Sequence, residues 1–92
     1  MRFAAKSDAN QPAIVEALRK MGFSVVSLHR HGAGVPDLAI AKANRMAFCE
    51  VKMPGEELNG LQEAFVREWN SSIYVLSSVE DVAVLCEAWR LA

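Results

Sequence analysis

A hairpin between Gly34 and Lys52 constrains what this chain can fold into more than any other feature. Two apolar, β-prone runs flank a short polar break there, and this pattern predicts two antiparallel strands. If Ala43 and Asn44 form the loop, counting outward along both strands places Asp37 opposite Glu50. The two carboxylates then lie side by side at the open end of the hairpin.

The alternation of side chains along a strand predicts that Asp37, Glu50 and Lys52 share one face of the hairpin. Phe48 and Met46 share that face and are expected to be buried, so an ionised glutamate beside them is costly unless something compensates its charge. Two adjacent carboxylates also repel each other unless a cation lies between them. Mg²⁺ prefers oxygen ligands and is commonly held by one or two carboxylates together with substrate phosphates. The pattern therefore predicts a divalent-metal site with a lysine within reach.

The same residues resemble a known signature. Pro36-Asp37 followed by Glu50-Val51-Lys52 is similar to the motif of the PD-(D/E)XK nuclease superfamily. Within that superfamily, Gly34 to Leu38 together with the later Leu61-Gln62 resembles the small stand-alone VRR-NUC domains of phages and bacteria. The similarity covers roughly residues 10 to 82. It implies an α/β fold with a restriction-endonuclease-like α-β-β-β-α-β core, in which helices flank a mixed sheet.

The resemblance also implies an activity, that of a Mg²⁺-dependent endonuclease in which Mn²⁺ is able to substitute. In such a site Asp37, Glu50 and the carbonyl of Val51 bind the metal. Lys52 positions or activates the attacking water, and Gln62 contacts a phosphate or a water. The implied substrate is nucleic acid, expected to be branched DNA such as a Holliday junction, bound by a homodimer. The sequence leaves open whether the substrate is DNA or RNA.

The first predicted helix raises a question about the third acidic group of the superfamily. Many members carry a metal-binding glutamate at the start of this helix. Glu16 lies on the solvent side, whereas Gln11 lies on the apolar stripe and occupies the position that matches the family pattern. An amide oxygen is a weaker, neutral ligand than a carboxylate. Gln11 is therefore expected either to tune the active site or to serve only as a polar residue at the start of the helix.

The charge of the chain restricts how it would bind nucleic acid. The net charge is −1, so binding by overall charge is not expected, and a local patch must neutralise phosphates. The candidate contacts in or beside the hairpin are His29, Arg30, Lys42 and Arg45. A zinc site at His29 and His31 is not expected, because the loop offers no third ligand.

The remaining pattern predicts the element order α-β-β-β-α-β-α, with the last strand reaching its partner by crossing over a helix. Asp8 or Asn10 is expected to cap the first helix. Asn59 and one of Ser77 and Ser78 are expected to cap the later helices. The apolar side of the last helix, Val82, Leu85, Cys86 and Trp89, with Leu91 as a further candidate, is the candidate dimer surface if any of it is exposed. The predicted elements are a helix to about Met21, strands 23–28, 38–41 and 46–51, a helix from Gly60 to about Asn70, a strand 73–76 and a helix 79–90.

Length and composition set outer limits. Ninety-two residues predict one domain, 1–92, and residues 1–7 are expected to be a flexible leader. No apolar run approaches the roughly 18 to 20 residues that cross a bilayer, and the start of the chain does not resemble a signal peptide. Cys49 and Cys86 are isolated in apolar runs, which is typical of reduced core residues in a cytoplasmic protein.

Two other classes of function fit the same pattern less closely. One is a nucleic-acid-binding module that keeps the nuclease fold but does not cleave, favoured by Gln11 in place of an acid and by the low net charge. The other is a small interaction protein in which the pairing of Asp37 with Glu50 is coincidental. Metal-dependent cleavage separates the nuclease from the first class, and metal titration separates it from the second.

Overall fold

The computed structural model of the protein describes residues 8–28 and 32–91. Its elements are α1 (Gln11–Lys20), β1 (Ser24–Ser27), β2 (Leu38–Lys42), β3 (Arg45–Val51), α2 (Gly60–Glu68), β4 (Ile73–Leu76) and α3 (Val79–Leu91). The strands form one mixed sheet in the order β1-β2-β3-β4, in which β4 lies parallel to β3 and the other neighbours are antiparallel. This order and topology confirm the predicted restriction-endonuclease-like α/β fold. The expected leader, residues 1–7, lies outside the described residues.

The hairpin forms in the predicted register. Leu38 pairs with Cys49 near the open end of the β2–β3 ladder. Asp37 precedes Leu38 and Glu50 follows Cys49, so the same count places the two acids opposite each other. The register therefore brings the carboxylates to the end of the hairpin that is remote from the turn.

The turn of the hairpin also lies where the pattern predicts it. Lys42 pairs with Arg45, leaving Ala43 and Asn44 as the two loop residues. Both have positive φ, 56° and 62°, as a type I′ turn requires. An alanine in this left-handed region is strained, since its Cβ crowds the backbone there. The turn is thus fixed by the pairing of its flanking strands rather than by a favourable turn sequence.

The hydrophobic core lies between one face of the sheet and the helices α1 and α3. The helices contribute the fully buried side chains of Ile14, Leu18, Val82 and Leu85. Trp89 packs edge-on against Phe23, at 5.0 Å between ring centroids. The sheet contributes Leu38, Ile40, Ala47, Cys49, Val51 and Leu76 to the same cluster.

The second helix, α2, lies against the opposite face of the sheet, the face that carries Phe48 and Glu50. The ring of Phe48 contacts those of Phe65 and Trp69, with centroid distances of 6.2 and 4.9 Å. The expectation that Met46 is buried on this face is wrong, because its side chain is 58 % exposed. Met46 lies two residues nearer the turn than Phe48, beyond the aromatic cluster. Only the part of this face nearest the carboxylates is covered by α2.

Asn10 fixes the start of α1 to the ends of β3 and β4. It occupies the N-cap position of α1, but its side chain makes no capping bond, so the predicted cap at this residue is wrong. Its Nδ2 instead donates to the carbonyl oxygens of Lys52 and Ser77, at 3.0 and 2.8 Å. The amide of Lys52 donates to the carbonyl of Leu76 at 3.0 Å. The first turn of α1 therefore lies at the carboxyl ends of the two parallel strands.

Of the candidate dimer surface on the last helix, only Leu91 is exposed among the described residues, and the rest packs into or against the core. Val82, Leu85 and Trp89 are buried in the core of the chain itself, and Cys86 packs against that core. The exposed apolar residues of α3 are Val79, Val84 and Leu91, which lie on other sides of the helix. Among the described residues, no helix is long and apolar enough to cross a membrane.

Both cysteines are free thiols. Cys49 is fully buried in the core, and burial raises the pKa of its thiol to about 12. A thiol in this environment stays protonated and behaves as a small apolar residue. The prediction that the two cysteines are core residues is confirmed for Cys49, while Cys86 is half-buried at the edge of the core.

Candidate active site

Asp37 is held at the end of the hairpin by the backbone of the neighbouring strand. Its Oδ2 accepts a hydrogen bond from the amide of Val51 at 2.8 Å. Its own carbonyl accepts a bond from the amide of Leu28 at 2.6 Å, which ties the residue to the end of β1 as well. The preceding residue, Pro36, is buried, and its ring fixes the backbone φ angle just before Asp37. The carboxylate therefore has a fixed direction, toward the end of β3.

Glu50 is the one buried acid among the described residues, with a side chain only 3 % exposed. Burial raises its pKa from 4.5 to about 8, and a hydrogen bond with the Asp37 side chain together with the charge of Asp37 adds to the rise. The charge of Lys52 opposes it. The two predicted carboxylates therefore meet, as the hairpin register predicts, and these surroundings favour the protonated form of Glu50 when no cation is bound.

Gln62 reaches the same pair from the first turn of α2. Its Nε2 donates to Oε2 of Glu50 at 2.9 Å. Its Oε1 accepts from the amide of Asn59 at 2.9 Å, and the Asn59 side chain accepts from the amide of Gln62 at 2.9 Å. The predicted cap at Asn59 is confirmed as a reciprocal capping box. One side chain thus closes the helix cap and contacts a predicted metal ligand.

Lys52 and Asp8 complete the charged surroundings of the pair. The charge of Lys52 lowers the pKa of Glu50 and also that of Asp8, which places its ammonium group within electrostatic range of both. The pKa of Asp8 is nevertheless raised, first by burial and then by the charges of Glu56 and Asp37. Asp8 is therefore a further acid near the site, which the sequence pattern treats only as a possible helix cap.

Gln11 is buried, as predicted, but it belongs to α1, which packs on the core face of the sheet rather than on the face that carries Glu50. Its side chain is 5 % exposed, and its Oε1 has no hydrogen-bond partner among the described residues. Oδ1 of the neighbouring Asn10 is buried and unpartnered in the same sense. No described contact joins Gln11 to Asp37 or Glu50, which project toward the α2 side, so its role in the site stays a prediction. Glu16 points to solvent and pairs with Lys20 at 3.6 Å, as its helix face predicts.

Two of the residues predicted to contact nucleic acid, His29 and Arg30, lie outside the described residues. The other two, Lys42 and Arg45, lie at the turn of the hairpin, and the carboxylates lie at its opposite end. Nζ of Lys42 donates to the carbonyl of Met21 at 2.6 Å and lies 5.2 Å from the centroid of the Phe23 ring. The five-residue strand β2 separates these two cations from Asp37, and their contact with nucleic acid stays a prediction.

Arg45 fixes the other helix end at the turn. Its Nη2 donates to the carbonyl of Trp89 at 2.5 Å, and its guanidinium lies 4.8 Å from the centroid of the Trp89 ring. Nε1 of Trp89 donates in return to the carbonyl of Lys42 at 3.2 Å. Lys42 thus binds the carboxyl end of α1 and Arg45 that of α3. A positive charge at this end of a helix interacts favourably with the helix dipole.

The donor set at the hairpin end fits a hard divalent cation better than a soft one. Within the part of the chain that the structure describes, no three His, Cys, Asp or Glu side chains lie close enough to hold a metal ion. The carboxylates of Asp37 and Glu50 and the main-chain carbonyls at the end of β3 are all oxygen donors. Mg²⁺ is commonly held by so few protein ligands, because it retains waters and binds substrate phosphates.

The larger cavities of the molecule lie elsewhere. One of about 560 Å³ runs along α1, and one of about 620 Å³ lies between the hairpin turn and α3. Neither is lined by Asp37, Glu50 or Lys52.

Comparison with known proteins supports the fold. A solved structure described as "VRR_NUC domain" is similar to this chain with a TM-score of 0.65 and 22 % sequence identity, over 86 % of this chain and 91 % of that chain. No protein-family model and no curated protein matches the sequence. The chain is therefore a VRR-NUC-like domain in its fold, which confirms the resemblance carried by the hairpin motif.

Proposed function

We propose that this domain is a Mg²⁺-dependent nuclease that hydrolyses phosphodiester bonds at the open end of its hairpin. The observation that carries the proposal is the half-buried Asp37 carboxylate beside the buried carboxyl group of Glu50, to which Gln62 donates a hydrogen bond. Without a cation this arrangement is unfavourable, since burial and mutual repulsion both oppose ionisation of Glu50. A divalent cation held between the two groups would offset both costs.

The residues divide the chemistry among them. Asp37, Glu50 and the Val51 carbonyl would hold the ion, which when bound supplies positive charge to the phosphate and makes an attacking water more acidic. Lys52 holds a water or a phosphate oxygen through its ammonium group. Gln62 donates to Glu50 and fixes the direction of that carboxylate.

The substrate we propose is branched DNA, such as a four-way junction. Of the described residues, only α3 and the short connections lie outside the α-β-β-β-α-β core, so these residues favour recognition of shape over recognition of a long base sequence. The net charge of −1 likewise argues against tight binding of plain duplex along the whole surface.

Cleavage assays test the activity. Four-way junctions, flaps and plain duplexes are incubated with Mg²⁺ or Mn²⁺ and with Asp37→Ala, Lys52→Ala or the control Glu16→Ala. We expect the first two variants to lose about a hundredfold or more in rate, as is usual when a charge-stabilising group is removed. Glu16→Ala removes an exposed acid on the far side of α1 and should cleave normally. Equal cutting of all three substrates would reject the structure selectivity but not the nuclease.

A non-cleaving nucleic-acid-binding module is the second candidate, favoured by the neutral Gln11 in the place of a helix-start acid. Such a module would bind junctions with no metal-dependent cleavage, and Asp37→Ala would leave its binding intact or improve it by removing a negative charge. Filter binding in EDTA beside the cleavage assay separates the two candidates.

We also propose that two copies act together, through the exposed part of the sheet face beside α2 rather than through α3. Val26, Met46 and Val75 lie on that face and are 59, 58 and 46 % exposed. Sedimentation equilibrium of the wild-type chain should give a dimer, and Val26→Glu or Val75→Glu should give monomers by burying a charge in the interface. A wild-type monomer at the concentrations used for cleavage would contradict this assembly.

A further inference from the structure

The contact between Gln62 and Glu50 depends on how the first turn of α2 is seated on the hairpin. No residue of α2 is fully buried. Among the described residues, α2 contacts the sheet through the rings of Phe65 and Trp69 on Phe48 and through the hydrogen bond of Gln62 to Glu50. The position of the first turn must therefore be set by something other than a buried apolar face.

Gly34 provides that support. It has a φ of +82°, and a Cβ built on it would lie 2.3 Å from the carbonyl oxygen of Leu61 and 3.1 Å from the amide of Gln62. Real Cβ atoms do not approach a backbone oxygen so closely, so any other residue would push the loop and the helix turn apart. The loop before Asp37 and the first turn of α2 thus pack backbone against backbone because residue 34 has no side chain.

The capping box then decides which end of the Gln62 amide faces Glu50. Its Oε1 is taken by the amide of Asn59, so only the NH₂ group remains on the side of the carboxylate. An amide group has one oxygen and one nitrogen on its terminal carbon, so the cap presents a donor to Glu50 and keeps the oxygen away from it. Displacement of the turn by even one ångström would lengthen the 2.9 Å bond beyond hydrogen-bonding range.

We propose that Gly34 is a positioning residue for Glu50, acting through Gln62. Its missing side chain seats the first turn of α2, the capping box of that turn orients the Gln62 amide, and the amide holds the Glu50 carboxylate in the direction that a cation requires. No described hydrogen bond joins Gly34 to either carboxylate. The inference rests on the proposed function for the meaning of Glu50, but the chain of contacts is measurable without any cleavage.

Gly55 supplies a matched control. It has nearly the same φ as Gly34, +87° against +82°, but a Cβ on it would meet nothing within 4 Å. Gly34→Ala and Gly55→Ala therefore carry similar backbone strain, and they differ in whether a methyl group collides with α2. Any effect seen in Gly34→Ala and absent in Gly55→Ala reports the close approach rather than the loss of a glycine.

The test uses two readouts on the full chain, Mn²⁺ affinity by titration calorimetry and the side-chain amide signals of Gln62 by NMR. We expect Gly34→Ala to weaken Mn²⁺ binding about tenfold, the usual size of the effect when a partner of a metal ligand is lost. The Gln62 amide protons should also lose their protection from exchange. Gly55→Ala should leave both readouts at the wild-type values.

A double-mutant cycle with Gln62→Leu shows whether Gly34 acts through Gln62. The account predicts that Gly34→Ala adds little to the loss of Mn²⁺ affinity once Gln62 is gone, since both changes break one connection. An undiminished effect in the Gln62→Leu background, or equal effects of Gly34→Ala and Gly55→Ala, would overturn the proposal.

If Gly34→Ala does not fold, Asn59→Ala takes its place in the cycle, because it loosens the same turn without added bulk. Asn59→Ser is then the variant that restores the cap. Absence of nuclease activity in the wild-type chain would reject the proposed function while leaving these readouts decisive.

Discussion

At the scale of single residues, the burial of Glu50 controls how the site behaves without a metal. The pKa of the Glu50 carboxyl group rises from 4.5 to about 8 on folding. Between these two pH values the group is protonated in the folded chain and ionised in the unfolded chain. The folded state therefore binds more protons than the unfolded state between those two values, and the free energy of unfolding falls as pH rises through that window. Below about pH 4.5 the Glu50 carboxyl group is protonated in both states, so it does not lower the free energy of unfolding.

A pH series on Glu50→Gln checks this sign. In EDTA, we expect the free energy of unfolding of the wild-type chain to fall by up to about 1.4 kcal/mol per pH unit between pH 5 and 8 through this group. Glu50→Gln has no such charge, so its stability relative to wild type should grow from pH 5 to pH 8.5. Urea titrations at each pH measure the difference. A constant difference across the series would mean that the acid is not destabilised by its surroundings.

The residue scale also shows what a sequence pattern cannot reach. The register of the hairpin follows from alternation and from a two-residue break, so the meeting of Asp37 and Glu50 is predictable by counting. The bonds of Asn10 to Lys52 and Ser77 are not, because an asparagine before a helix is normally a cap and only the packing of α1 redirects it. The position of Asp8 near Asp37 and Glu50 is not predictable for a related reason, because it depends on where the packing of α1 places the residues before this helix.

At the scale of elements, the hairpin turn acts as the anchor for two helix ends. Lys42 bonds the last turn of α1 at Met21, and Arg45 bonds the last turn of α3 at Trp89. Both cations also lie over aromatic rings, Phe23 and Trp89. The sequence offers these residues as nucleic-acid contacts because they are cations beside a motif, and nothing in the pattern reveals the helix carbonyls that lie next to them in the fold.

Substitution of the turn cations distinguishes these roles. We expect Lys42→Met and Arg45→Met each to lower the free energy of unfolding by about 1 to 2 kcal/mol, through loss of a charged hydrogen bond at a helix end and of a cation–π contact. Chemical denaturation provides the measurement, with Lys20→Met as an exposed control in α1. Unchanged stability together with weaker junction binding and a smaller salt dependence would instead assign these cations to nucleic acid.

The element boundaries themselves are largely accessible from sequence. Helix and strand periods, Gly22 after α1 and the serines before α3 place the elements within a few residues of the observed ones, and the β4 strand, Ile73–Leu76, matches in full. The positions of the helices on the sheet are not accessible in this way. The exposure of Met46 illustrates the limit, since alternation assigns it to the Phe48 face but only the placement of α2 decides which part of that face is covered.

At the scale of the whole molecule, the two faces of the sheet have different tasks. The face under α1 and α3 holds the apolar core, and the face under α2 carries the acid pair and leaves Val26, Met46 and Val75 exposed. The parallel β3–β4 pair directs its carboxyl ends to the side where Asp37, Glu50, Lys52 and the first turns of α1 and α2 converge. Ligand sites of mixed and parallel sheets commonly lie at this edge. The topology therefore places the site, and the hairpin register supplies its chemistry.

The most direct measurement for the central claim is a crystal of the chain grown with Mn²⁺ and examined at the manganese absorption edge. The account predicts one anomalous peak between the carboxyl groups of Asp37 and Glu50, within coordinating distance of both, and no such peak in Asp37→Ala. A peak elsewhere, or an empty site between the two acids at Mn²⁺ concentrations that support cleavage, would contradict it.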